Sequence, residues 1–297
     1  MNNDKLSKRK QSMKKIKNAF DENDMERFKP AEKIGLVASV NPDGLPHISL
    51  ITSIIAVGPT QLTLGEFCKG KSKEFIRNNP KLGFLIMTFD KKMWSGKAKW
   101  THSKNQGTEF EIYNDQPMFR YNAYYGIHTV HYLDLVETSV GTDLFLPWII
   151  VEGVLTKLAK GGVTHPRNGE NQEILTPFAL DIFNGLGNLK FISWVNDDGY
   201  PTILPVFQCQ AADSGRLAFT STLGDKGLGM IPENTQVAVF AMTMKMESVL
   251  VRGRFRGFQK SRGIGIGTIN IDWVYNSMPP CHGQIYPPVS LKPVEQF

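Results

Sequence analysis

The sequence predicts a mainly β chain of two tandem small barrels with short helices, on three observations. The turn at 41–47 reads NPDGLPH, and NDDGYPT at 196–202 repeats it. From there an ungapped register carries Leu62 onto Leu217, Lys71 onto Lys226 and Asn79 onto Asn234, as far as residue 88. Within each copy, short β-branched and aromatic runs alternate with Gly, Pro, Asn and Asp, and one short run has helical spacing. A register kept over so many elements marks a duplication, and closing short strands into a barrel removes unpaired edges.

Ahead of the first copy, Met13, Ile16 and Phe20 share a helical face in SMKKIKNAFDENDMERF. The apolar run 34–40 is the first strand. Asn-Pro-Asp-Gly turns the chain, proline presetting φ and glycine accepting positive φ. Pro46 opens the second strand, HISLITSIIAV, where a missing N–H is tolerated. Gly58-Pro59 breaks it, and QLTLGEF is the third. KSKEFIRNNP is a short helix with Phe75 and Ile76 inward, ended by Pro80. KLGFLIMTF is a core strand, and WIIVEGVLTKL closes the copy as its last strand. The second copy runs FISWV, PTILPVFQCQ, RLAFTST, a weaker helix in GDKGLGMIPEN, TQVAVFAMTM and SVLVRGRFRGF. Gly153 and Gly253 take like places in the two last strands. Met242, Met244 and Met246 line one strand face as core filling.

Each copy is thus β-β-β-α-β-β. Copy one carries an excess between 90 and 147, rich in Trp, Tyr and His, with a strand pair expected between TEFEIYN and YYGIHTVHYLDL. Long insertions of this kind serve as lids or binding walls. The expected domains are 1–160, a first barrel with an N-terminal helix and the insertion 90–147, and 161–297, a second barrel with a proline-rich tail. KLAKGGVTHPRNGENQ is the linker, and TPFALDIFNGLGN is a helix capped by Thr176 with Pro177 at its first position.

Composition narrows the function classes. With 297 residues, 41% apolar and 21% charged, the chain suits a globular protein with substantial cores. No apolar run reaches the roughly 20 residues that span a bilayer, so no membrane partner is expected. The basic start lacks the apolar stretch of a secretory signal, and Cys68, Cys209 and Cys281 form no CxxC pair. Both point to a cytoplasmic protein with reduced thiols. The net charge of +6 favours an anionic partner. RGRFRGFQKSRG interleaves basic and aromatic residues, but it reads more simply as a strand with Arg252, Arg254 and Arg256 along one face. His128, His131 and Asp134 lie three apart. On a strand the two histidines point to opposite faces, so no metal site is expected. His47 reads as a strand-surface histidine, with a ligand-facing role as the alternative.

SVNPDGLPHISL, QLTLGEF, CKGKSKEFIRNNP and LGFLIM, in this order, resemble the FMN-binding split barrel of the pyridoxamine 5'-phosphate oxidase superfamily. The resemblance covers about 30–90, then 147–160, and more loosely 189–260. It implies tandem split β-barrels, with the duplicated chain folded as an intrachain pseudo-dimer and FMN in the groove between barrels. It also implies a phosphate held at the start of the helix before Asn-Pro. Lys71 matches the family's arginine, Ser72 stands where a lysine is usual, and neighbouring Lys73 takes that lysine's part. In copy two Lys226 matches the same arginine; Thr220, Ser221 and Thr222 offer hydroxyls, with ordinary strand polarity as the equal alternative. Helix physics agrees for copy one. GKSKEF sets a hydroxyl and two ammonium groups beside free N-terminal N–H groups, and a bound anion offsets cations that oppose the helix dipole.

The expected activity is that of an FMN-dependent oxidoreductase or flavin reductase acting on a small substrate. A nicotinamide nucleotide is a candidate partner, and no acid or base is assigned. Two other classes stay open: a non-catalytic flavin, haem or deazaflavin binding protein, and a basic structural or nucleic-acid-binding protein. Nucleic acid is the less favoured partner, since its binding wants aromatic platforms among the cations. The chain is expected as a monomer carrying its own pseudo-dimer, or as a further homo-oligomer.

Overall fold

A computed structural model describes residues 16–30, 32–66, 70–116, 126–144, 146–162, 173–221, 227–276 and 283–289. The strands are β1 (Ile16–Lys17), β2 (Lys33–Val40), β3 (Pro46–Leu50), β4 (Ile55–Gly58), β5 (Gln61–Glu66), β6 (Lys81–Thr88), β7 (Lys92–Lys104), β8 (Thr129–Ser139) and β9 (Thr142–Asp143). The second series is β10 (Leu189–Val195), β11 (Pro201–Pro205), β12 (Gln210–Asp213), β13 (Arg216–Thr220), β14 (Gln236–Met242), β15 (Ser248–Ser261), β16 (Ile264–Asn276) and β17 (Gly283–Tyr286). The helices are α1 (Glu22–Phe28), α2 (Lys71–Asn78), α3 (Thr108–Asn114), α4 (Leu146–Ala159) and α5 (Pro177–Asn184).

The repeated turn folds the same way twice. Asn41 Oδ1 accepts from the N–H groups of Asp43 at 3.0 Å and Leu45 at 2.8 Å. The N–H of Gly44 donates to Asn41 O at 3.0 Å, and that of Gly199 to Asn196 O at 2.8 Å. The two glycines take φ of 76° and 78°, angles that a Cβ disfavours. Each turn sets a matching hairpin, with Val40 opposite Pro46 and Val195 opposite Pro201.

Beyond the hairpins the strand order repeats in full. One antiparallel sheet runs β3-β2-β6-β7-β8-β5-β4, with β1 on β8 and β9 on β7. The other runs β11-β10-β14-β15-β16-β13-β12, with β17 on β16. The repeat also extends past residue 88. Register shifts fall between Lys97 and Ala98 and between Trp100 and His102 in one sheet. They fall between Arg252 and Gly253 and between Phe255 and Phe258 in the other, at the matching places.

Several sequence expectations are corrected. The closing strands of copy one are β7 and β8, inside the supposed insertion 90–147. WIIVEGVLTKL lies in helix α4. Its β-branched content suggested a strand, but Glu152, Thr156 and Ala159 are the buried ones, a helical spacing. Gly153 is therefore no counterpart of Gly253; Ala98 is. TEFEIYN is helix α3 rather than a strand, and only the later part of its proposed partner is strand, in β8. The real excess of copy one is 105–128, where copy two turns at Arg262 and Gly263.

The lead-in differs as well. Met13 lies outside the described residues, and Ile16 is in β1. The helix begins later because Asp21 caps it, its carboxylate accepting from the N–H of Asp24 at 2.9 Å. Met244 and Met246 are exposed in the β14–β15 turn rather than core-facing, with Met246 at φ 70°. The expected cap of α5 holds: Thr176 Oγ1 accepts from the N–H of Ala179 at 3.3 Å. Copy two has one 3-10 turn, Leu228–Met230, where copy one has α2. Its glycines explain the weaker helix.

The chain divides into two compact units. Unit one holds the described parts of 1–35, 51–67 and 84–144. In it Phe28 packs edge-on to Phe20 and Trp94, while Trp94 Nε1 donates to Asp24 at 2.9 Å. Unit two holds the described parts of 36–50, 68–83 and 145–297. Its core includes Phe183, Ile192, Phe219, Val239, Val251 and Phe255.

Unit two also contains β3 and α2 of copy one, so part of copy one packs with copy two inside it. Lys81 Nζ donates to Asp198 O at 2.6 Å. A Cβ on Gly83 would stand 2.1 Å from Pro201 O, so only glycine permits that approach. Lys190 is wholly buried under α5, its ammonium donating to Gly185 O at 2.7 Å and Phe207 O at 3.3 Å. Burial lowers its pKa to about 8. Among the described residues no helix is long and apolar enough to cross a membrane.

Candidate cofactor-binding site

Within unit two, β3, α2, β15 and β16 bring together cations and aromatic rings. His47 follows Pro46 at the start of β3 and is 5% exposed. Its ring meets three others: Phe75 of α2 at 5.4 Å, Tyr275 at 5.4 Å and Trp273 at 6.2 Å between centroids, all near edge-to-face. Trp273 and Tyr275 stack on each other at 5.3 Å. Burial, then the positive charges of Arg252 and Lys71, push the His47 pKa down to about 3. The imidazole is thus neutral at pH 7.

Arg252 is the unexpected member. It sits opposite Trp273 across the β15–β16 pair, its guanidinium 3.8 Å from the ring centroid. The adjacent register shift places Gly253 where a Cβ would stand 2.2 Å from Asn270 O, which requires glycine. Arg252 is 8% exposed, and among the described residues its Nε has no hydrogen-bond partner. Burial lowers its pKa, and the charges of Asp272 and Asp43 oppose that shift. Both carboxylates are also engaged by amides: Asp272 by Gln236 at 2.8 Å and Asp43 by Asn41 at 3.1 Å. A buried guanidinium with an unmet donor suits an anionic acceptor.

The expected phosphate residues of copy one lie at the start of α2. Lys71 is exposed, with Glu74 at 3.3 Å; Ser72 is buried and Lys73 half-buried. Gly70 provides no side-chain cap to the helix. The electrostatic pull of Lys71 and Arg252 on His47 ties both cations to one neighbourhood.

Thr220 is placed differently. It is fully buried at the end of β13, its Oγ1 2.9 Å from Thr156 Oγ1 of α4, while its N–H donates to that same oxygen at 3.1 Å. Ser221, half-buried, follows it. Thr222 and Lys226 lie outside the described residues.

Unit one holds a second buried polar group, of which the sequence had singled out His131 but not Trp100 or Glu66. Trp100 Nε1 donates to His131 Nδ1 at 3.2 Å, so His131 Nε2 carries the proton toward Glu66 Oε2 at 2.8 Å. Glu66 and His131 are both buried. His128 is exposed, so the two histidines do not converge. Arg252 and Trp273 could have been paired from the sequence only by recognising that β15 and β16 form a hairpin.

No protein-family model matches the chain, and no curated protein sequence matches it. Solved structures do. An FMN-binding protein from Syntrophomonas wolfei is 12% identical, with a TM-score of 0.32, over 37% of this chain and 78% of its own. A candidate pyridoxamine 5'-phosphate oxidase from Lactobacillus delbrueckii is 18% identical, with a TM-score of 0.33, over 42% and 96%. An F420 reductase is 14% identical, with a TM-score of 0.32, over 41% and 98%. Each of these matches covers about two fifths of this chain.

Proposed function

We propose that the protein binds FMN, with the phosphate held by the start of α2 and by Arg252. Lys71, Ser72 and Lys73 present two ammonium groups, a hydroxyl and uncapped helix N–H groups. Arg252 adds a guanidinium whose Nε has no hydrogen-bond partner among the described residues. That unmet, buried donor is the observation that carries the reading, since such a group is stabilised most by an anion. His47, Trp273 and Tyr275 form an aromatic wall beside it, the surroundings a flat ring system favours. Neutral His47 keeps one donor and one acceptor nitrogen without adding to the positive charge.

Bound FMN supplies hydride and electron transfer. The chain's own residues bind and orient it. We read the activity as that of an oxidoreductase or flavin reductase acting on a small substrate.

The test is the absorption spectrum of the purified protein, followed by titration with FMN and with riboflavin. Expected is an oxidised-flavin spectrum, with Arg252→Gln and Lys71→Ala each weakening FMN about tenfold or more while changing riboflavin far less. No flavin bound after incubation with FMN, a Soret band in its place, or equal losses for both ligands defeats the proposal. Turnover of a nicotinamide nucleotide by the loaded protein separates the enzyme from a storage protein.

A further inference from the structure

We propose that the outer face of α4 docks on an anionic lipid surface. A surface helix ordinarily turns its apolar stripe inward and its polar face to water. α4 does the reverse. Its inward side is held by hydrogen bonds. Thr156 meets Thr220 at 2.9 Å, and Gln210 Nε2 donates to Gly153 O at 2.7 Å. Ser261 Oγ donates to Ala159 O, also at 2.7 Å. Its outward side exposes Trp148, Ile150, Val151, Val154 and Leu158. A run of large apolar side chains on one exposed face marks an interaction surface.

The charges around it select the partner. Lys157 on α4, with Lys260 and Arg262 on the hairpin that caps its last turn, are exposed cations. Arg262 Nη1 donates to Leu158 O at 3.0 Å, which places it at the rim of the apolar face. None of the three forms an ion pair with a described residue. The one acid of α4, Glu152, is buried.

A second copy brought up by a two-fold axis would set these cations against their own counterparts, and among the described residues α4 offers no exposed acid. A bilayer surface with anionic headgroups offers both charge and hydrocarbon. Trp and aliphatic residues on one side, with cations at the edge, are the chemistry of a helix lying in that interface. At 14 residues α4 is too short to span and lies in the plane. The sequence expectation of no membrane partner considered only spanning segments. This inference is independent of the flavin reading.

The full chain is mixed with vesicles of equal parts phosphatidylglycerol and phosphatidylcholine, and with phosphatidylcholine alone. Expected is sedimentation with the anionic vesicles on the order of tenfold stronger, weakened by salt. A blue shift in tryptophan emission should accompany it and be absent from Trp148→Phe. Val154→Asp with Leu158→Asp should cut vesicle binding on the order of tenfold. Should that pair perturb folding, Trp148→Glu alone serves. Absence of binding overturns the proposal. So does binding unchanged by these substitutions, which would assign it to the basic amino-terminal segment. A concentration-dependent dimer abolished by the same substitutions, without vesicle binding, makes the face a self-association surface instead.

Discussion

Lys97 and Arg252 hold the same place in two sheets of identical strand order, each beside the same register shift. Across the strand pair, Lys97 faces Glu137 and forms an ion pair at 3.0 Å. Arg252 faces Trp273 and stacks on its ring, its Nε without a hydrogen-bond partner among the described residues. One cation is answered by a carboxylate, the other by an indole ring. The duplicated scaffold therefore does not duplicate chemistry. On the proposed reading, a single difference opposite the cation, carboxylate or indole, distinguishes the two copies.

The same contrast holds for neighbouring positions. His47 corresponds to Thr202, and α2 to a single 3-10 turn. The outer surfaces of β5 and β13 are covered from different parts of the chain. In unit one α3 supplies Tyr113, whose hydroxyl meets Thr63 at 2.8 Å. In unit two α4 supplies Thr156 to Thr220.

The largest expected effect comes from making copy one resemble copy two at His47. In the unfolded chain this histidine takes up a proton near its ordinary value of 6.5, whereas in the fold it does so only near 3. The unfolded state therefore binds more protons between those values, and stability falls as pH drops through that window. The loss reaches up to about 5 kcal/mol. Urea unfolding of His47→Thr against the parent at pH 7, 5 and 4 should show the acid sensitivity reduced. Parallel losses in both proteins would show that His47 is not the sensitive group.

Lys190 gives the next effect, in the same direction but in an alkaline window. Its folded pKa of about 8 lies below the ordinary 10.5, so the unfolded chain again binds more protons in between. Stability contributed by this group is lower below pH 8 and rises toward pH 10.5. The gain relative to Lys190→Met reaches up to about 3 kcal/mol. Its counterpart in copy one is Gly35, which has nothing to titrate. Denaturation of both proteins across this alkaline range checks it, and equal slopes would contradict it.

The two cations themselves come third. Arg252→Gln should weaken FMN about tenfold or more, while Lys97→Gln leaves it within about twofold. Comparable losses would mean that the ion pair in copy one does not distinguish the sites. The smallest effect belongs to that pair. It is partly exposed, so Glu137→Gln should lower stability by under about 1 kcal/mol, less at high salt, by thermal melting.

Much of the scaffold was legible because its signals are local. Asn-x-Asp-Gly-x-Pro specifies a turn through the φ of one glycine, and the turn sets the hairpin register. Thr176 before Pro177 announces a helix start. The errors came where local preference and burial disagree. α4 is rich in β-branched residues and reads as a strand until one sees that Glu152, Thr156 and Ala159 face inward together. Met244 and Met246 looked like core filling, but the strand ends at Met242. Lys71, Ser72 and Lys73 were expected from the family resemblance, with the helix start they occupy as support. Arg252 was read as one of three cations along a strand face, because alternation says which face a residue takes and not what covers that face.

By itself the sequence determined the duplication, the two matched hairpins and the basic helix start, since each depends on residues close together in the chain. Only the tertiary structure decided that Arg252 is buried against Trp273 beside His47, that Lys97 is neutralised by Glu137, and that α4 turns its apolar side outward. The reason is physical. A side chain's charge state and exposure are set by what packs over it, and those partners come from strands and helices far away in the chain.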